Sequence, residues 1–279
     1  MPEVFDPFSG IRSRLLALPG CQIEEDTRSG SFVVHVNDKE SWNSDENLKK
    51  MSELFGDLIM NEYDPTRIRP LRQQMKFSFQ NCDQVYVEAG PGGIGAFCSL
   101  EHAEEDPSVM IVRDVISAPE ARAVYFFKMF QNIYSDPSTS ALVGTSDNPV
   151  IIQTLTYIGE RIDQHVSFGN QGVDDPSIQK LLKINRNYLE KEGMLVEEIE
   201  PGIYLLPSEI LVPLTQEELD SRIKITSRNY DTLQYIVDLQ KKYPGGETVA
   251  GALILNIDRG NEKQKQKQHI EETKSPDLT

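Results

Sequence analysis

An α/β fold, with a mixed, largely antiparallel sheet and helices on both faces, is what this sequence predicts. Two observations carry its antiparallel strands and its helices. Between Val85 and Ile116 three segments of period-two alternation follow one another with tight connections. On either side of them apolar residues recur at i, i+3 and i+4, the spacing of amphipathic helices.

Gly10 to Leu18 has the pattern of a short helix, and Ser31 to Val36 alternates with β-branched residues as a strand does. Ser44 or Asp45 can cap the next helix, because a short polar side chain accepts from the unpaired N–H groups of a first turn. Leu48, Met51, Phe55, Leu58 and Ile59 form its apolar stripe, and Asp64-Pro65 ends it. A shorter helix is expected over Thr66 to Lys76, with the Met75 to Phe79 end open to an extended alternative. Val85 to Glu88, Ala96 to Leu100 and Ser108 to Ile116 are the three strands of an antiparallel meander, the first two joined through Gly90 to Gly95.

Ala118 to Tyr134 returns to the helical period and Ser140 to Thr145 reads as a short strand. Asn148-Pro149 then opens a helix at a position where proline's missing N–H is not needed. Asp175-Pro176 starts another that reaches Glu192, with Ile178, Leu181, Leu182, Tyr188 and Leu189 on one face. Gly202 to Val212 is extended around Pro207, and Thr215-Gln216-Glu217-Glu218 has the form of a capping box opening helices to about Lys242. Thr248 to Asp258 is the last strand. The expected organisation is one domain over 1–260 with a helical insertion at about 160–245, then a disordered tail over 261–279, whose alternating Lys and Gln offer no apolar face.

Of the 279 residues, 28 are Lys or Arg and 44 are Asp or Glu, a formal charge of −16. Such a surface repels polyanions and anionic lipid alike, so neither nucleic acid nor a membrane is an expected partner. The longest uncharged apolar runs, such as Leu15 to Leu18, fall far short of the ~20 residues a membrane span needs. Met1 to Asp6 is acidic where a secretory signal is basic, and Cys21, Cys82 and Cys98 show no C-x-x-C spacing. A cytoplasmic location fits, without a disulfide framework or a zinc cluster.

Gly90-Pro91-Gly92-Gly93-Ile94-Gly95 satisfies the letters of G-x-G-x-x-G, but that fingerprint works by opening a helix onto a pyrophosphate. Here the strand-type residues Ala96 to Leu100 follow, so a hairpin turn is the reading. His35, His102, His165 and His269 lack ligand spacing, so no metal is expected, and no G-x-S-x-G, P-loop or H-E-x-x-H pattern is present. Glu101-x-x-Glu104-Glu105-Asp106 and Glu197-Glu198-x-Glu200 read as solvated acidic loop faces, with attraction of a cationic amine as the functional alternative.

The order of elements resembles the core of the GCN5-related N-acetyltransferase (GNAT) family, most closely over residues 93 to 160. Gly95-Ala96-Phe97-Cys98-Ser99-Leu100 is similar to that family's third strand. Val109 to Pro119 looks like its fourth strand leading into the acyl-CoA loop, and Ala141 to Pro149 looks like its fifth strand with the following Asn148. The resemblance implies acetyl-CoA or another acyl-CoA as cofactor. Its pantetheine would lie between splayed fourth and fifth strands, and its pyrophosphate would rest on the N–H groups that open the next helix. On that reading Val115, Ile116, Ser117, Arg122, Ala123, Val124 and Asn148 are the cofactor-binding candidates, and a small-molecule or peptide amine is the acceptor. The loop signature Q/R-x-x-G-x-G/A is degenerate here: Arg122 holds the first position, but Tyr125 and Phe127 replace the glycines.

An amine must lose a proton to attack a thioester, so a base is expected near the fourth strand. Asp114 is the first candidate, because Arg113 and Asp114 interrupt the otherwise apolar run from Val109 to Ile116. Alternation along a strand puts the two on opposite faces, and an ion pair with a neighbouring helix is the structural alternative. Glu101 and His102, at the mouth of the preceding strand, are the other candidates. Where many family members have a tyrosine acid this chain has Leu155; Tyr157, two residues on, is turned away by about 200° on a helix, which favours a packing role. Two functions compete: an acyl-CoA-dependent N-acyltransferase, and a GNAT-like scaffold that binds a partner and has lost acyl-CoA.

Overall fold

Backbone hydrogen bonding joins ten strands into one sheet in the computed structural model, which describes residues 8–26, 30–62, 71–90, 92–118, 122–146, 149–161, 165–207, 234–235, 238–243 and 247–257. In chain order the elements are α1 (Ser9–Leu16), β1 (Cys21–Asp26), β2 (Ser31–Val36), α2 (Lys39–Trp42), α3 (Asp45–Glu62), α4 (Leu71–Phe79), β3 (Gln84–Gly90), β4 (Gly93–His102) and β5 (Val109–Ser117). After them come α5 (Arg122–Ser135), β6 (Ala141–Ser146), α6 (Pro149–Arg161), β7 (His165–Phe168), α7 (Pro176–Lys191), β8 (Glu197–Glu200), β9 (Ile203–Pro207) and β10 (Glu247–Asn256). The sheet runs β1-β2-β3-β4-β5-β6-β10-β9-β8, with β7 sharing the β10 edge beside β9. Every pairing is antiparallel except β5 with β6.

Local chemistry explains the helix starts. Ser44 Oγ accepts from the Asn47 N–H at the head of α3, and Asp175 accepts from the Ser177 N–H beside Pro176 at the head of α7. α4 is helical through Phe79, which rules out the extended alternative: Met75, Ser78 and Phe79, at i, i+3 and i+4, all face the core. The capping box at Thr215, the proline at Pro65 and the tail after Gly260 lie outside the described residues.

The strands are covered on both faces. α3 and α4 pack on one face over Phe32, Val85, Val87 and Phe97, where the rings of Phe55, Phe79 and Phe97 meet at centroid distances of 4.9 to 5.2 Å. α7 continues that layer over Val109, Ile111, Val143 and Ala252. α5 and α6 cover the opposite face, over Tyr86, Cys98, Leu100, Met110 and Leu142.

The glycine-rich turn has a packing explanation. A Cβ at Gly90 or at Gly95 would fall 2.1 or 2.3 Å from the Tyr125 side chain of α5, so that ring lies directly on the hairpin. Gly95 is also the bulged residue between the pairs Glu88↔Ala96 and Ala89↔Ile94. Gly95→Ala is expected to destabilise by about 1–3 kcal/mol through overpacking, and to cost almost nothing in a Tyr125→Ala background. Denaturant titration of the four proteins measures that coupling.

Glu88 of β3 is buried on the α5 side, accepting from Ser31 Oγ at 2.7 Å and Asn132 Nδ2 at 3.4 Å, and burial pushes its carboxyl up to about 7. In the unfolded chain a glutamate titrates near ~4.3. The folded state therefore keeps a proton that the unfolded state releases, and this contribution to stability is lost as pH rises through about 7. Glu88→Gln is expected to raise the melting temperature above that pH, by an amount equivalent to about 3 kcal/mol, and to leave it unchanged near pH ~4. Melting curves across that range measure the difference.

Candidate functional site

The functional candidates gather where β5 leaves β6. These parallel neighbours pair only at Val109↔Ala141, Met110↔Leu142 and Ile111↔Val143. Gly144 marks the parting, since a Cβ there would lie 3.2 Å from Val112 Cβ. Beyond it, β5 pairs with β4 and β6 pairs with β10, so two strands diverge with facing edges that no described strand fills. Backbone N–H and C=O groups on such edges can pair with an added extended segment.

β5 is also bulged at this point. Ser99 opposes Asp114 and Leu100 opposes Val112, which leaves Arg113 as the extra residue. Met110, Val112 and Val115 pack towards α5, whereas Ile111 and Ile116 pack towards the α3, α4 and α7 layer. Arg113 and Asp114 both join that second set, and the expectation from alternation that they face opposite ways is corrected by the bulge. Arg113 donates to Glu101 Oε2 at 2.5 Å and to the Phe77 carbonyl of α4 at 3.3 Å. It also lies 3.5 Å from Glu192 at the end of α7 and 5.8 Å from the centroid of the Tyr188 ring.

Asp114 meets a different set of groups. Ser78 Oγ donates to its Oδ2 at 2.5 Å, and Gln74 Nε2 lies 3.4 Å from the same oxygen. Burial raises its pKa, while the donors Ser78, the Val115 N–H and Gln74, and then the charge of Arg113, pull it back. The residue as a whole is only partly buried. A carboxyl crowded by protein, its pKa raised by burial, is suited to accept a proton. On the same face, across the parted strands, Asn185 of α7 donates to Thr145 Oγ1 of β6 at 2.9 Å.

The other candidates are spread more widely. Glu101 is buried in its pair with Arg113, and His102 sits at the β4 end with Nδ1 2.7 Å from the Pro107 carbonyl. Tyr157 is on α6, on the opposite side of the sheet from Asp114; it is 44% exposed and has the Arg161 guanidinium 5.1 Å from its ring centroid. Val115 and Ile116 turn their side chains into the two cores, so only their backbone is available to a ligand. Ser117 is buried at the end of β5, and its Oγ has no hydrogen-bond partner among the described residues. Arg122 and Ala123 begin α5, Val124 is exposed beside them, and Asn148 lies outside the described residues.

Tyr125 and Phe127, which replace the loop glycines, turn inward: Tyr125 onto Gly90 and Gly95, and Phe127 against the α5-side core. Glu104, Glu105 and Asp106 are not a free acidic face, because Lys191, Asn187 and Lys180 of α7 reach them at 2.7, 2.7 and 2.6 Å. Ser78, Gln74 and Asn185 look like ordinary helix residues in the sequence; the bulge brings Asp114 beneath the first two, and β6 brings Thr145 beneath the third.

No protein-family model and no curated protein matches the chain. Among the solved structures that superpose on part of it are three acetyltransferases. The diaminobutyrate acetyltransferase EctA of Paenibacillus lautus, in complex with L-2,4-diaminobutyric acid and coenzyme A, is 14% identical over 44% of this chain and 75% of its own, with a TM-score of 0.33. An aminoglycoside 6'-acetyltransferase type Ii is 7% identical over 50% of this chain and 87% of its own, at 0.32. An IAA acetyltransferase of Bacillus cereus ATCC 14579 is 12% identical over 50% and 80%, at 0.30.

The fold is α/β, with a mixed, largely antiparallel sheet and helices on both faces. Its element order is the one the sequence resemblance implies: a meander β3-β4-β5, a helix α5, a parallel strand β6 that parts from β5, and a helix α6 opening directly after it. Among the described residues no cluster of three or more His, Cys, Asp or Glu could hold a metal, and no helix is long and apolar enough to cross a membrane.

Proposed function

We propose that this chain is an acyl-CoA-dependent N-acyltransferase, cytoplasmic in location, that acylates an amine. The observation that carries the reading is the parted β5–β6 pair with Asp114 on a bulge beside it. An extended thioester-bearing arm fits between two strand edges that no described strand fills, and Ser117 Oγ, which has no partner among the described residues, is a further group that a polar ligand would satisfy.

Acyl-CoA, when bound, supplies an activated acyl group. The chain's own part is positioning: the strand edges orient the thioester arm, and Asp114 takes the proton that the attacking amine must lose. A carboxyl held above its usual range is better matched to that proton than an ordinary surface aspartate, and the net charge of −16 favours a cationic amine over an acidic acceptor. Glu101, tied to Arg113, supports the strand, and Tyr157 is left to the outer face of α6.

A second reading, a GNAT-like binding protein without acyl-CoA, draws support from the inward Tyr125 and Phe127, which replace the open glycine loop with packed side chains. The thermal midpoint with and without acetyl-CoA separates the two. A ligand at 100 times its dissociation constant adds about 2.7 kcal/mol, a rise of a few degrees for a chain of this size. A concentration-dependent rise is the expected result, and none at millimolar acetyl-CoA favours the second reading.

A further inference from the structure

The bulge in β5 creates a conflict that the surrounding residues resolve. It sets Arg113 and Asp114 side by side on one face, where a guanidinium and a carboxylate would ordinarily pair. A carboxylate paired in that way holds its negative charge too well to accept a proton from an amine. Arg113 is occupied elsewhere: Glu101 at 2.5 Å, Glu192 at 3.5 Å, the Phe77 carbonyl at 3.3 Å and the Tyr188 ring take up its planar fork. Asp114 instead accepts from neutral donors, Ser78, Gln74 and the Val115 N–H.

We propose that Glu101 and Glu192 divert Arg113 from Asp114, that Ser78 and Gln74 hold the carboxylate so freed, and that these four positioning residues together set its basicity. The inference rests on the reading of Asp114 as the base for acyl transfer. The surrounding groups are few. α4 presents Ser78 and Gln74, β4 presents Ser99, whose Oγ reaches the Asp114 carbonyl, and α3 presents Phe55, Leu58 and Ile59 to the core shared with Ile116; the buried Cys98 thiol lies on the opposite face of the sheet. α7 acts on Asp114 through Glu192 and Tyr188, which face Arg113.

The two halves of this arrangement have opposite signs. Ser78→Ala removes a donor to the charged carboxylate and should move the Asp114 midpoint upwards by about 1 pH unit. Glu101→Gln releases Arg113 towards Asp114 and should move it downwards by about 1 unit or more. Carboxyl 13C titration of the full chain labelled at aspartate, with the Asp114 resonance identified by its loss in Asp114→Asn, reads both. Ser78→Thr, which keeps the hydroxyl, should restore the wild-type midpoint. If Glu101→Gln does not fold, Glu192→Gln carries the same downward expectation at a residue that keeps contact with solvent.

Shifts of opposite sign uphold the proposal, while equal, absent or same-sign shifts overturn it. Acetyl-CoA binding by the same samples is a separate readout. Opposite shifts without binding keep the division of charge and remove the acyl-transfer reading; binding without opposite shifts does the reverse.

Discussion

Arg113→Met is expected to lower the unfolding free energy by about 3–5 kcal/mol, because it strands the Glu101 carboxylate in the core without its partner. The same guanidinium joins β4, α4 and α7, so its loss also loosens the packing of α7 on the sheet. The double variant Arg113→Met/Glu101→Leu should recover most of that cost, since a buried ion pair replaced by apolar side chains of similar volume is often neutral. Urea titration of the three proteins gives the answer. A single-variant cost under ~1 kcal/mol, the range of exposed pairs, would show that Arg113 is no anchor. Lys180→Ala, which breaks the exposed pair with Asp106, serves as the contrast and should fall in that range.

Asp114→Asn is expected to reduce acyl transfer by about 10²–10⁴-fold while leaving acetyl-CoA affinity unchanged. Asparagine keeps the shape and can still meet Ser78, but it cannot take a proton at neutral pH. In the wild-type chain the rate should rise with pH along a limb that lies above the usual carboxylate range, because burial raises the Asp114 pKa. That limb should disappear in the variant. Thiol release followed across pH, with acetyl-CoA and a cationic amine, separates this from a structural effect. An undiminished rate or an unchanged limb would remove Asp114 from the chemistry.

The sequence pattern marked out the meander and the helices around it because their periods are long and clean: the α3 stripe, the β3 to β5 alternation and the α7 face all fall where they were expected. It passed over β1, β7 and β8. Cys21 to Asp26 does alternate, but acids on an edge strand, useful against stray pairing, look like loop. β7 and β8 have 4 residues each, and only tertiary pairing with β10 and β9 makes them strands.

The candidate site was half legible. Charge in an apolar run pointed to Arg113 and Asp114, yet a bulge is set by register between two strands and leaves no local signature, so their common face was not foreseen. Tyr125 and Phe127 were visible as departures from the loop signature. The direction of Tyr125 depends on Gly90 and Gly95, some thirty residues away, which period counting does not connect.

Hydrogen exchange of the backbone, with and without acetyl-CoA, tests the central claim most directly, because a ligand that docks as an extra strand must shield the edges it pairs with. Slower exchange confined to Val112–Ser117 of β5, Gly144–Ser146 of β6 and the first turn of α5 is the expected result. Unchanged exchange on both strand edges at millimolar acetyl-CoA, or protection elsewhere on the sheet, would contradict an acyl-CoA site between them.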